Sequence, residues 1–589
     1  MLEKFLLEVN KPARYIGQEW NIIKKDFDKA NIKFALCFPD LYEVGMSNLG
    51  FRILYGILNN QEDIICERFF SVDSDLERIL RSNRQPIFSL ESRHSLREFD
   101  IIGFSLSYEL NYTNVLNMLE LGGIPWESSL RDADYPLVIG GGPCTFNPEP
   151  LHEFFDLFFI GEAEEAILEI IDIYRRNKEG FKKKRINKDD LLLRLSTVEG
   201  IYVPSLYEVI YDSQYKIRDF KPRYAGLPTK IKKRFVKDLN QVYFPWRWLI
   251  PYIQIIHDHI ILEIMRGCPH HCRFCQATIQ YHPYRQRSLE EVLSLALKTY
   301  QQTGYEEITL SGLSISDYPY LERLVQALMD LFKDKAVNIS LPSIKPKAGL
   351  RRTPSLIAKV KKSGLTFAPE AASQRLRQII NKDFSMEEFF KVLKEAYLSG
   401  YRHVKLYFMI GLPLERQEDL DSIIDFSCEV SEFKKTITKG SPARVNVSIN
   451  ALVPKPHTPF QWLAMENLEA IFLKQNYLKN KVKKNKNIFI SFHNPRMSFL
   501  EGVLSRGDRR LSKVILCAFK KGARFDAWDN YFRFDLWLDA FRECDINADF
   551  YLKERGLEEI LPWDFIDTGI SKQGLLKAIT EIKNTVTTI

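Results

Sequence analysis

Glu263-Ile-Met-Arg-Gly-Cys-Pro-His-His-Cys-Arg-Phe-Cys-Gln276 gathers three thiols, Cys268, Cys272 and Cys275, on one short stretch. Thiolates at such spacing bind a soft metal or an iron–sulfur cluster. Four ligands would close a structural zinc site or an electron-transfer cluster; three on a [4Fe–4S] cube leave one iron open. The stretch follows a short apolar run, Ile260-Ile-Leu-Glu-Ile264, which reads as a strand. Behind it, apolar runs at 308–310, 337–341, 366–368, 404–409 and 445–449 alternate with segments of helical spacing. Two of the intervening helices open on capping boxes, Ser288-Leu-Glu-Glu291 and Ser385-Met-Glu-Glu388. Six strand–helix units predict a partial (βα)6 barrel over residues 246–470, with its chemistry at the carboxyl ends of the strands. That rule nominates Ser311 and Gly312 after the second strand and Glu370 after the fourth.

Upstream, Phe34-Ala-Leu-Cys-Phe38, Ile101-Ile-Gly-Phe-Ser105 and Leu137-Val-Ile139 read as buried strands interleaved with helices. This predicts a doubly wound, Rossmann-like α/β domain over 31–170. Ligands of such sheets bind beyond the strand carboxyl ends. Here those ends are Pro39-Asp-Leu-Tyr-Glu-Val-Gly45, Ser105-Leu-Ser107 and Gly140-Gly-Gly142, the last allowing close approach to the backbone. Residues 1–30 read as an N-terminal arm, 171–245 as a connector, and 471–589 as a mainly α-helical C-terminal region.

At 589 residues the chain needs several cores. Nine cysteines argue against a disulfide framework. No apolar run is long enough to cross a bilayer, and the first residues lack a basic and apolar leader, so a cytoplasmic protein is expected. The 83 basic side chains exceed the 76 acidic ones only slightly, and the net charge of +7 does not by itself predict nucleic acid. Basic runs at 182–185, 230–234 and 479–486 read as solvated faces or linkers.

Cys-x3-Cys-x2-Cys with Phe274 before the third cysteine resembles the signature of the radical S-adenosylmethionine (SAM) superfamily. The three N-terminal turns resemble the cobalamin-binding domain in front of many such barrels. From Lys11-Pro-Ala-Arg-Tyr15 through Arg506-Gly-Asp-Arg-Arg510 to Leu561-Pro-Trp-Asp564, the chain is similar to one uncharacterised family of radical SAM proteins with a cobalamin-binding-like domain. The resemblance implies a [4Fe–4S] cluster on Cys268, Cys272 and Cys275, and SAM on the open iron near Phe274, Ser311, Gly312 and Glu370. It also implies reductive cleavage of SAM, fed by an electron donor of flavodoxin or ferredoxin type.

Two departures matter. Ser311-Gly312-Leu313 lacks the acid of the usual Gly-Gly-Glu turn. Asp40-x-Tyr42-x-x-Gly45 has tyrosine where one cobalamin type has a cobalt-binding histidine, so cobalamin with a pocket at Tyr42, Ser105, Gly140 and Gly141 stands beside a domain that keeps the fold without the cofactor. Methylation would follow with cobalamin, and another radical modification without it. The substrate is open, RNA or a ribosomal protein among the choices. Cys37, Cys66 and Cys144 are read as buried small hydrophobes or a second cluster. The rival reading is a zinc- or cluster-containing RNA-associated protein without SAM turnover, the zinc completed by His270 or His271.

Overall fold

The computed structural model describes residues 2–341, 345, 365–382 and 384–588. Two compact units divide the chain. The first contains residues up to Asp258 together with Val503–Tyr551 and Glu558–Gly569. The second contains His259–Gly502, Leu552–Leu557 and the residues from Ile570 on.

In the first unit, β1 (Ile32–Phe38), β2 (Ile64–Phe70), β3 (Ile101–Ser105), β4 (Leu137–Gly141), β5 (Leu157–Phe159) and β6 (Ile201–Tyr202) form one sheet. Their order is β2-β1-β3-β4-β5-β6. The first five strands are parallel and β6 is antiparallel. Every residue of β2 is buried, as expected of a parallel strand covered on both faces. The order reverses direction between β1 and β3, which makes that edge the topological switch point.

Burial on β2 includes Arg68, whose guanidinium donates to Glu19 Oε2 at 2.7 Å and Glu91 Oε1 at 2.5 Å. A buried cation needs such partners. Because Glu19 comes from the first thirty residues, this pairing folds that segment against the sheet. Arg14 adds bonds to Glu43 at 2.9 Å and Asp73 at 2.6 Å.

The C-terminal part of this unit reaches the carboxyl ends of the strands. Trp528 Nε1 donates to Asp40 Oδ1 at 2.9 Å after β1, and the Phe525 amide donates to Asn114 Oδ1 at 2.8 Å beyond β3. After β4, Asn147 Nδ2 donates to the Ser505 and Gly507 carbonyls at 2.9 and 2.8 Å.

The second unit holds β7 (Ile260–Glu263), β8 (Glu307–Ser311), β9 (Asn338–Ser340), β10 (Leu365–Glu370), β11 (His403–Ile410), β12 (Arg444–Ala451) and β13 (Ile488–Phe492). They lie in two sheets, β7-β8-β9 and β10-β11-β12-β13, and every pairing is parallel. All six expected strands are present. A seventh, β13, lies beyond residue 470 in a region that is otherwise mainly helical.

Alternation sets the faces of this unit. On β11, Val404, Leu406, Phe408 and Ile410 are buried while Lys405 and Tyr407 between them are not. The buried face packs on helices: Phe408 meets Phe426 with ring centroids 6.2 Å apart, and Phe367 meets Phe389 at 4.9 Å. Each such fully buried side chain contributes about 1.5–3 kcal/mol. Ser288 caps its helix by accepting from the Glu291 amide at 3.1 Å, and Ser385 does the same for Glu388 at 3.2 Å. Among the described residues no helix is long and apolar enough to cross a membrane.

Candidate functional site

Strand β7 delivers the chain to the cysteine loop, and glycine makes the turn. Gly267 has φ +81°, and a Cβ there would lie 2.6 Å from the Tyr281 carbonyl oxygen and 2.8 Å from that of Pro283. The loop is then pinned to the segment after β10. Arg273 donates to the Gln378 and Ile379 carbonyls at 3.0 and 2.8 Å, its amide donates to Ile380 O at 2.9 Å, and Asn381 Nδ2 donates to His271 O at 2.8 Å. Glu581, near the end of the chain, accepts from Arg273 Nη2 at 2.9 Å. Within the loop, the Cys275 amide donates to Cys272 O at 3.0 Å.

Cys268, Cys272 and Cys275 line one cavity of about 190 Å³. Burial pushes the Cys268 thiol up and the Cys272 thiol up to about 12, so ionisation awaits a bound cation. Among the described residues no three metal-binding side chains converge on a single-ion site. Three thiolates sharing one tetrahedral zinc would sit about 3.8 Å apart at Zn–S distances of about 2.3 Å. Thiols that share a cavity without that convergence fit ligands of separate irons in one cluster.

The histidines of the loop have other partners. His270 Nε2 is 2.7 Å from Asp317 Oδ2, and Lys345 Nζ is 3.3 Å from His270 Nδ1. Ser314 Oγ donates to the same Asp317 oxygen at 2.6 Å.

Of the other residues expected at this site, Phe274 and Glu370 line the cavity. Glu370 ends β10 at φ +65°, an unfavourable conformation for a residue with a Cβ, and accepts from Lys382 Nζ at 2.8 Å. That ammonium also lies over the Phe274 ring, 5.7 Å from its centroid. Ser311 and Gly312 fall outside the lining, which takes up the next two residues, Leu313 and Ser314. The reason is local: the Ser311 carbonyl receives the Ile264 amide at 2.9 Å, continuing the β7–β8 ladder, and Gly312 packs against Met265. Lys345 and Lys382, which also line the cavity, carried no spacing signal that would have marked them.

At the strand ends of the first unit, Ser105 pairs with Gly141 across β3 and β4. Nothing lies within 4 Å of where a Gly141 Cβ would be, so this backbone is open to a ligand. Gly140 is not open; a Cβ there would meet Phe158, Leu106 and Phe155 at 2.9, 3.0 and 3.1 Å. Tyr42 departs from expectation. Its ring is buried and its phenol donates to Glu19 Oε1 at 2.9 Å, because the carboxylate drawn in by Arg68 takes every nearby donor. Burial and Glu19 together raise the phenol far above its usual range. Cys37, Cys66 and Cys144 are buried.

Two family models match the chain, radical SAM proteins, N-terminal, over residues 50–204 and the radical SAM superfamily over residues 262–427. An uncharacterized protein of Methanocaldococcus jannaschii is 28% identical over 82% of this chain and 90% of its own length. A tRNA-2-methylthio-N(6)-dimethylallyladenosine synthase of Petrotoga mobilis is 25% identical over 42% of this chain and 59% of its own. Among solved structures, the cobalamin-dependent SAM radical enzyme OxsB with aqua-cobalamin bound is 15% identical, with a TM-score of 0.47, covering 94% of this chain and 79% of that one. The two family matches, one over each half of the fold, and a cysteine loop placed directly after the first strand of the parallel array mark the chain as belonging to the radical SAM superfamily.

Proposed function

We propose that the chain is an enzyme that holds a [4Fe–4S] cluster on Cys268, Cys272 and Cys275 and uses it to cleave SAM. The observation that carries this reading is the single cavity shared by the three thiols, Phe274 and Glu370. When bound and reduced, the cluster supplies the electron that splits SAM into methionine and a 5′-deoxyadenosyl radical. The chain's own groups suit the cosubstrate. Glu370 and Lys382 put one acid and one base on the cavity wall, matching the amino and carboxylate groups of its methionine part. Phe274 offers an apolar face for the adenine.

Cobalamin would approach the first unit at Ser105 and Gly141, where the backbone is open, and when bound would supply methyl-transfer chemistry. Tyr42 has no part in holding it. The M. jannaschii relative brings no substrate. The tRNA enzyme among the relatives supports a reading in which a methyl or methylthio group is placed on RNA or on a protein of the ribosome.

The test is anaerobic turnover with dithionite or a reduced flavodoxin. Cluster-loaded protein should yield 5′-deoxyadenosine and methionine, and Cys275→Ala should yield neither. RNA binding with a steep salt dependence and no cleavage product would instead favour an RNA-associated binding protein.

A further inference from the structure

Outside the cysteine loop, two thiols stand near each other on the surface of the first unit. Cys517 lies on the helix Leu511–Lys520, and Cys544 ends the helix Phe534–Glu543. Both are half-exposed. The two helices pack together and are joined by Lys521 Nζ to Glu543 Oε2 at 2.7 Å. The Cys517 thiol interacts with the Glu543 carboxylate and with the Cys544 thiol. Cys428, also half-exposed, has the acids Asp425 and Glu432 as its charged neighbours.

Access comes from a cavity. Cys517 lines an open depression of about 1120 Å³ whose lining includes Arg223, Lys513, Lys520 and Lys521. These cations favour an anionic small molecule at the thiol.

We propose that Cys517 and Cys544 are a reversible dithiol–disulfide couple, oxidised by exchange with a small anionic disulfide of the glutathione type, whose closure clamps the two helices together. Burial raises both thiols, Cys517 up to about 11, but at Cys544 the bond from Cys517 and the nearby Lys513 and Lys521 work against that rise. Cys544 is therefore the attacking thiol. Its thiolate attacks one sulfur of oxidised glutathione, the glutathione S–S bond breaks, and one glutathione thiolate leaves. Cys517 then gives up its proton and attacks the Cys544 sulfur, releasing the second glutathione. Two protein thiols are oxidised and one disulfide is reduced to two thiols.

The clamp bears on the ligand edge of the sheet. Between the two helices the chain carries Phe525 and Trp528, whose bonds to Asn114 and Asp40 lie at the ends of β3 and β1. Oxidation ties together the two helices that bracket this covering segment.

The experiment uses full-length, cluster-loaded protein equilibrated anaerobically in glutathione buffers of stepped redox poise, then alkylated and mapped by mass spectrometry. The expected product under oxidising poise is a Cys517–Cys544 cross-linked peptide, with Cys428 carrying a separate glutathione adduct. Cys517→Ser should trap glutathione on Cys544. In hydrogen exchange, amides of residues 523–531 should exchange roughly tenfold more slowly in the oxidised protein, and the Cys517→Ser/Cys544→Ser double variant should show no such difference. Free, alkylatable Cys517 and Cys544 under oxidising poise, or separate glutathione adducts on both, would overturn the couple. Equal exchange in the two redox states would overturn the clamp.

Discussion

Arg509 Nε donates to Glu149 Oε2 at 2.7 Å across 360 residues of sequence. The Glu149 side chain is 1% exposed. Its other oxygen accepts from the Tyr202 hydroxyl at 2.5 Å, and Arg509 Nη2 donates to that same hydroxyl oxygen at 2.8 Å. The network explains why the stretch after residue 502 folds with the N-terminal sheet. Arg509→Met should leave a buried carboxylate uncompensated and cost about 3–5 kcal/mol. Urea unfolding of the first unit checks this; a loss under about 1 kcal/mol would show that water reaches Glu149.

Asp526 should govern part of the pH dependence of stability. Its carboxyl accepts from Thr113 Oγ1 at 2.7 Å and Trp537 Nε1 at 3.0 Å, yet burial pushes it up to about 6. Between about pH 4, the ordinary carboxyl value, and pH 6 the folded state holds the proton that the unfolded chain releases. Stability therefore falls as pH rises through this window, by about 3 kcal/mol, and is flat for this group above it. Asp526→Asn keeps an acceptor for Trp537 and should remove that slope. Denaturant midpoints from pH 4 to 8 for both proteins measure the difference, and parallel curves would contradict the assignment.

Glu370 offers a separation of stability from binding. A residue with a Cβ at φ +65° is strained, by of order 1 kcal/mol. Glu370→Gly should leave thermal stability unchanged or raised by a few degrees, while SAM affinity falls roughly tenfold or more with the loss of a charged hydrogen-bonding group. Calorimetric titration of reconstituted protein reads the affinity, and an unchanged value would remove Glu370 from the site.

The parallel strands were legible because each is a short apolar run between turn residues, from 34–38 to 445–449. The cluster thiols were legible because a three-ligand motif is local. What escaped was made by folding. Lys345 and Lys382 meet the cysteine loop through contacts over long sequence separation, and no spacing marks such a lysine. Leu313 and Ser314 displace Ser311 and Gly312 from the cavity because the ladder to Ile264 runs one residue further than the motif suggests. Tyr42 looked like a pocket residue until Arg68 and Glu19 were seen to hold its phenol. Strand β13 was hidden by the lysines before it and by a burial pattern in which, of its five residues, Ile488 alone is fully buried.

Cluster binding and its open iron are measured together by anaerobic reconstitution with iron and sulfide, followed by iron analysis and electron paramagnetic resonance of the reduced protein with and without SAM. The account predicts about four irons per chain, a reduced-cluster signal that changes when SAM is added, and loss of both in Cys272→Ala. Stoichiometric zinc without a cluster signal, or a signal that SAM leaves untouched, would contradict it.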